Sequence, residues 1–265
     1  MIATRQVACH VYQGLPLFAP IEVEGLENGS TGVRCLKRDY LVRATPEEEV
    51  RQALLWFLST GSTLAGGWTG VMSVEVERQS VDVATFLAGA GRPAFRPPFP
   101  VLAIETKRPG VDLSQCTDQI QRYMRLFEFR HGLLFNGEDA MWISRVGDAW
   151  ISARLFDLAE VDARLADALT VASATATEHA DAFEAARSGH FDALLHLARA
   201  LGGGGAGLTF NIIADTNGRV GRMQAFNLKV LDDDTLGYLV RGVTSRTKPT
   251  LSRAGFRSLD SVVPL

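Results

Sequence analysis

Cysteine is scarce in this chain. Only Cys9, Cys35 and Cys116 occur among 265 residues, an odd and scattered set. They suit neither a disulfide framework nor a zinc site, so a reducing, cytoplasmic setting is expected. No apolar run approaches the roughly 20 residues of a membrane span, which argues against a membrane protein. The opening Met-Ile-Ala-Thr-Arg-Gln lacks the apolar centre of a secretory signal. A basic balance is missing too, the net charge being −3. That removes the global electrostatic argument for nucleic-acid binding. It leaves a local one, because clustered arginines or bound metal ions can place positive charge where it is needed. No Gly-x-x-x-x-Gly-Lys-[Ser/Thr] phosphate loop is present: the run Gly202–Gly205 continues Ala-Gly-Leu-Thr, without the lysine. Lysine itself is rare, at positions 37, 107, 229 and 248 only.

What remains is globular in character. Apolar residues make up 46% and charged residues 22%, and the length allows one large domain or two small ones. Residues 101–107 read Val-Leu-Ala-Ile-Glu-Thr-Lys. Pro97, Pro98 and Pro100 precede this apolar run and Pro109-Gly110 follow it, so it reads as a buried strand. Alternation puts Glu105 and Lys107 on one face. A carboxylate and an ammonium at the end of a buried strand are costly unless paired or bound to an ion. A lone Glu-x-Lys arises by chance about once in a chain of this size, so by itself it reads as an ion pair capping the strand end, and the neighbours must decide.

Thr45-Pro46-Glu47-Glu48 is a helix start, with Thr45 at the cap, Pro46 first and Glu48 closing a capping box. Apolar residues at 50, 54, 57 and 58 continue the helical stripe to about Ser59–Gly61. Stabilisation of the helix dipole accounts for Glu47, Glu48 and Glu49 on structural grounds. Residues 71–87 alternate as one or two strands and carry Asp82 between Val81 and Val83. After residue 107, Ser114 is the expected cap of a helix whose apolar face is Cys116, Ile120, Met124 and Phe127. Gln119 and Tyr123 stack one turn apart on it, which also fits a buried tyrosine with a hydrogen-bonding glutamine. His131-Gly132 is expected to end this helix. Leu133–Phe135, the Asn136-Gly137 turn and Met141–Ile143 follow as strand, turn and strand. Helix, strands, helix and strands in this order imply a mixed sheet flanked by helices.

From about residue 155 the composition changes. Residues 155–200 are alanine-rich and acidic, and helices are expected near 158–170 and 177–201. Residues 207–243 return to β structure. The stretch 235–259 has no Asp or Glu but holds Arg241, Arg246, Lys248, Arg253 and Arg257, a candidate basic patch or a solvated tail.

Glu48 on a helix, Asp82 on a strand, Glu105-Thr-Lys107 on the next and Gln119-x-x-x-Tyr123 on the next helix resemble the PD-(D/E)xK nuclease fold. The chain looks most like the N-terminal nuclease domain of type I restriction-enzyme motor subunits. Thr45–Gln52, Ile104–Pro109, Gln119–Tyr123 and Leu134–Gly137 match its motifs in register, over about residues 35–150. The resemblance implies an α/β (α+β) fold with a restriction-endonuclease-like mixed sheet. With the N-terminal strands it gives a nuclease domain over 1–152, and the change of composition sets off an accessory region over 153–265, in which helices over 158–201 precede a β-rich basic C-terminus. It further implies a Mg²⁺- or Mn²⁺-dependent endonuclease of a restriction or defence system, leaving 5′-phosphate ends. Asp82 and Glu105 would ligate the metal with the backbone carbonyl of Thr106, whose side chain would point away. Lys107 would orient or deprotonate the attacking water and offset charge. Glu48 would hold a second metal or its water shell, with Glu49 the fallback and the helix phase between Glu47, Glu48 and Glu49 open. Gln119 and Tyr123 would brace the site or touch the DNA backbone. Arg122 and Arg125, and the segment with Arg241, Arg246, Lys248, Arg253 and Arg257, would contact DNA. Without a phosphate-loop motif the chain is not a complete motor subunit, which leaves a stand-alone nuclease, a fragment or a nuclease paired with a partner restriction subunit, and double-strand cutting by one active site per chain would favour a homodimer. The competing expectation is an inactive nucleic-acid-binding or assembly module that keeps the fold.

Overall fold

The computed structural model describes residues 2–9, 17–26, 29–61, 66–78, 81–88, 99–202, 208–216, 218–240 and 249–264. Among these residues the chain is a mixed α+β protein with three sheets. It divides into two compact units, one of residues up to 89 with 100–172, the other of 90–99 with 173–265.

The first unit opens with an antiparallel sheet of β1 (Ile2–Cys9), β2 (Leu17–Gly25), β3 (Thr31–Arg34) and β4 (Leu41–Arg43) in chain order. Helix α1 (Pro46–Trp56) follows, and the chain continues through a wide π-helical turn, Phe57–Gly61. The Thr45 hydroxyl accepts from the Glu48 amide at 3.1 Å, and Pro46 occupies the first turn, where its missing N–H costs nothing. The second sheet joins β5 (Met72–Arg78), β6 (Val81–Leu87), β7 (Pro100–Thr106), β8 (His131–Phe135), β9 (Ala140–Val146) and β10 (Ala149–Leu155), in the order β10-β9-β8-β7-β6-β5. Among its described strands only β7 and β8 run parallel, connected through α2 (Thr117–Leu126). The sheet is therefore mixed, and β7 lies within it, its residues from Val101 onward all buried.

Helix α2 seats on β7 and β8 through Ile120 and Met124, which pack with Ala103, Leu134 and Ile143. Gly132 permits this approach: a Cβ there would sit 2.6 Å from Met124 Sδ and 2.9 Å from Ile120 Cδ1. Two local expectations are corrected at this helix. Asp112 rather than Ser114 makes the cap, its carboxylate accepting from the Ser114 amide at 3.0 Å and starting a tight turn, Leu113–Cys116. The helix ends at Leu126, because Glu128 turns the chain with φ of 59°, and His131-Gly132 already belong to β8.

Helix α3 is one element, Leu158–Arg187, where two were expected to break near 171–176. Nothing in Val171–Thr177 stops an alanine-rich helix. The break falls at Gly189, whose φ of +91° suits glycine, and α4 (Phe191–Leu201) follows. The second unit carries a five-stranded antiparallel sheet of β11 (Leu208–Thr216), β12 (Arg219–Asp232), β13 (Thr235–Leu239), β14 (Thr250–Ser252) and β15 (Phe256–Pro264), in the order β14-β13-β12-β11-β15. Phe183, Leu194, Phe210, Ile212 and Leu259 form part of its core.

Candidate functional site

The sequence candidates on α1, β6, β7 and α2 converge within the first unit. The β6–β7 ladder stops at Val83 and Ile104. Beyond it the Asp82 carboxylate takes over: Oδ2 accepts from the Thr106 amide at 2.7 Å and from its hydroxyl at 2.8 Å. The Thr106 side chain, expected to point away from the metal, thus faces a carboxylate expected to ligate it. This happens because the hydroxyl satisfies Asp82 where strand pairing has ended.

Glu105, the next residue inward, is 2% exposed. Its Oε1 accepts from Lys107 Nζ and from Gln119 Nε2, each at 2.5 Å. The Gln119 amide also donates to the Tyr123 hydroxyl at 3.3 Å, so the helical pair braces the strand-end carboxylate. Glu105 Oε2 is buried with no hydrogen-bond partner. An ionised oxygen in that state is expensive, and the carboxyl responds: burial and the charge of Asp82 raise its pKa to about 7, against the pull of Lys107. Burial alone would lower the Lys107 pKa, but the bond to Glu105 and the charges of Glu105, Glu47 and Asp82 outweigh it and raise it. Lys107 is therefore a fixed cation at neutral pH.

The three glutamates of α1 diverge. Glu49 pairs with Arg5 of β1. Glu48 is buried and saturated, with Oε1 accepting from Gln52 Nε2 at 2.7 Å and Oε2 from Arg51 at 2.7 Å. Glu47 adds its charge to the causes that raise both Glu105 and Lys107. It lines a cleft of about 350 Å³ with Thr45, Pro46, Glu48, Arg51 and Arg108.

Sequence reasoning missed Arg51. Its guanidinium, buried on α1, binds Glu48 Oε2, Glu77 Oε1 at 2.9 Å and Asp82 Oδ1 at 2.9 Å. Glu77 of β5 adopts a left-handed backbone, φ 52°, a conformation that costs a non-glycine residue energy and persists when its surroundings hold it. Arg51 and Arg38, which pairs with the other Glu77 oxygen, do so. Arg51 and Gln52 lie three and four residues after Glu48, the spacing that lets helical side chains meet, and that was a usable signal. Glu77 carried none.

The DNA-contact candidates are dispersed. Arg122 and Arg125 are exposed on α2, stacked over Tyr123 and Trp150 at 5.4 and 5.2 Å. Arg241, Arg246 and Lys248 lie outside the described residues. Arg253 and Arg257 are not an unpaired patch: Arg253 binds Asp192 and Asp234, and Arg257 binds Asp215. The acids are supplied by α4, the β12–β13 turn and β11, so an acid-free stretch of sequence is neutralised in space.

Among the described residues, no three His, Cys, Asp or Glu side chains gather as a set that could hold a metal ion. Asp82 and Glu105 form a pair, and the orphaned, buried Glu105 Oε2 is the feature that fits a hard cation, which accepts carboxylate oxygens while keeping several waters. Among the same residues, no helix is long and apolar enough to cross a membrane. Comparison with known protein families, with curated proteins and with solved structures returns no match.

Proposed function

We propose that this chain is a Mg²⁺- or Mn²⁺-dependent deoxyribonuclease of the restriction type, its core the restriction-endonuclease-like arrangement of α1, β5–β9 and α2. The observation that carries this reading is the Glu105 carboxylate. It is buried at a strand end beside Asp82, its Oε1 is held by Lys107 and Gln119, and its Oε2 is left without a partner. A purely structural ion pair has no use for that second oxygen, whereas a ligand to a divalent cation does. Glu105 and Asp82, with the Thr106 main chain, would hold the ion. When bound, it polarises the scissile phosphate and lowers the pKa of a coordinated water.

The chain's own residues define the remaining roles. Lys107 is kept cationic by its acidic neighbours, so it serves as an electrostatic stabiliser of developing phosphate charge rather than as a base. Gln119 and Tyr123 fix the orientation of Glu105 and thereby of Lys107. Thr106 fixes Asp82. Arg108, exposed at the rim of the cleft, and Arg122 would meet a phosphate backbone.

Plasmid cleavage tests the reading. Cutting is expected with Mg²⁺ or Mn²⁺ and not with EDTA. Asp82→Ala, Glu105→Ala and Lys107→Ala should each slow it by about 10²-fold or more, the scale of losing one preorganised electrostatic group. Cleavage that survives all three substitutions would sink the assignment. DNA binding without cleavage under either metal would favour an inactive nucleic-acid-binding module instead.

A further inference from the structure

Arg51 lies between Glu48 and Asp82, two of the three acids that the resemblance gives to metal binding. One terminal guanidinium nitrogen serves Glu48 Oε2 and Glu77 Oε1, and the second terminal nitrogen serves Asp82 Oδ1. Each of these carboxylates is braced from its far side. Gln52 holds the other Glu48 oxygen and is itself fixed, accepting from the Leu36 amide at 2.8 Å. Arg38 holds the other Glu77 oxygen. The Thr106 amide and hydroxyl hold the other Asp82 oxygen. The Arg51 side chain is 8% exposed, so water cannot readily replace these contacts. A guanidinium does not lose its proton in a protein and matches carboxylates in a rigid fork.

We propose that Arg51 permanently fills the position where a second metal ion would bridge Glu48 and Asp82, so that the site takes one divalent ion, on the Glu105 side. A dication bridging Glu48 Oε2 and Asp82 Oδ1 would have to expel the guanidinium that both oxygens already bind. On the other side, Glu105 Oε2 is buried and unpartnered, and Lys107 and Gln119 both approach Oε1, so a cation there meets an oxygen that no donor occupies. The inference rests on the metal-dependent reading above and deepens it to a stoichiometry. Arg51 is a positioning residue: it orients Asp82 and supplies fixed charge.

The test counts ions rather than cleavage. Mn²⁺ is titrated into the whole chain at pH 7.5, with free Mn²⁺ followed by electron paramagnetic resonance and heat by calorimetry. One equivalent is expected for the wild type, none for Glu105→Gln and still one for Glu48→Gln. Arg51→Gln, which removes the charge, should take up two. Two equivalents in the wild type would overturn the assignment of Arg51 while leaving the nuclease reading intact. Loss of the ion in Glu48→Gln would overturn it as well, as would a folded Arg51→Gln that stays at one. No binding to a folded wild type would overturn the metal-dependent reading itself. Circular dichroism checks each variant, and the wild-type and Glu48→Gln counts decide the matter even where Arg51→Gln fails to fold.

Discussion

Glu48 and Glu105 are both buried carboxylates of the first unit, yet their surroundings differ in kind. Around Glu48, each oxygen has a donor, and one arginine ties it to Glu77 and Asp82. Around Glu105, two donors crowd one oxygen and the other has none. The first arrangement is closed and holds α1 to the sheet. The second is open and strained toward protonation or cation binding. The resemblance gives Glu105 to the metal and Glu48 to a second metal or its water shell, and the two differ because Arg51 and Gln52 take one Glu48 oxygen each, whereas Lys107 and Gln119 share a single oxygen of Glu105.

The largest expected effect comes from breaking the closed side. Arg51→Ala leaves Glu48 and Asp82 without their shared cation, and removing one partner of a buried ion pair costs about 3–5 kcal/mol. Chemical denaturation should read that loss, and a cost below about 1 kcal/mol would mean that Arg51 is not the tie described here.

The open side should reveal itself through pH. The folded Glu105 pKa is raised to about 7 from 4.5, chiefly by burial. A raised acid pKa stabilises the fold fully below the unfolded value and loses that contribution as pH rises through the folded value. Without divalent metal, stability should therefore fall between about pH 4.5 and 7, by up to about 3 kcal/mol. Glu105→Gln should remove that slope. A wild-type curve of stability against pH parallel to that of Glu105→Gln would contradict the open oxygen.

Gly132→Ala probes the support behind Glu105 rather than Glu105 itself. The added methyl meets Met124 and Ile120, and overpacking of this kind costs about 1–3 kcal/mol. It should also lift α2, loosening the grip of Gln119 on Glu105, so that cleavage falls more than folding does at room temperature. The smallest effect is expected far from either carboxylate. Arg257→Ala removes a half-exposed pair with Asp215 and should change stability by less than about 1 kcal/mol.

Much of the site was legible because it depends on local rules. The spacing of Glu105 and Lys107 on a strand, and of Gln119 and Tyr123 on a helix, placed each pair on one face, and the structure joins the pairs through a single oxygen. The Thr45 cap was equally plain. Three things were hidden. The phase of α1 could not say which glutamate faces β7, because three in succession satisfy the same dipole argument, and the packing of α1 decides among them. Arg51 sits at a legible spacing from Glu48, but its partners Glu77 and Asp82 lie 26 and 31 residues away. The acid-free stretch containing Arg253 and Arg257 looked basic because its counter-charges come from elsewhere in the chain.

The sequence by itself determined which chemical groups the first unit brings to its sheet: two strand-borne carboxylates, one lysine and a glutamine–tyrosine pair, set by the periods of strand and helix. Only the tertiary structure decided how their charges balance. Neutralisation depends on distance in space, and a guanidinium carried on α1 to within 2.9 Å of Asp82 closes one carboxylate cluster while leaving an oxygen of Glu105 open.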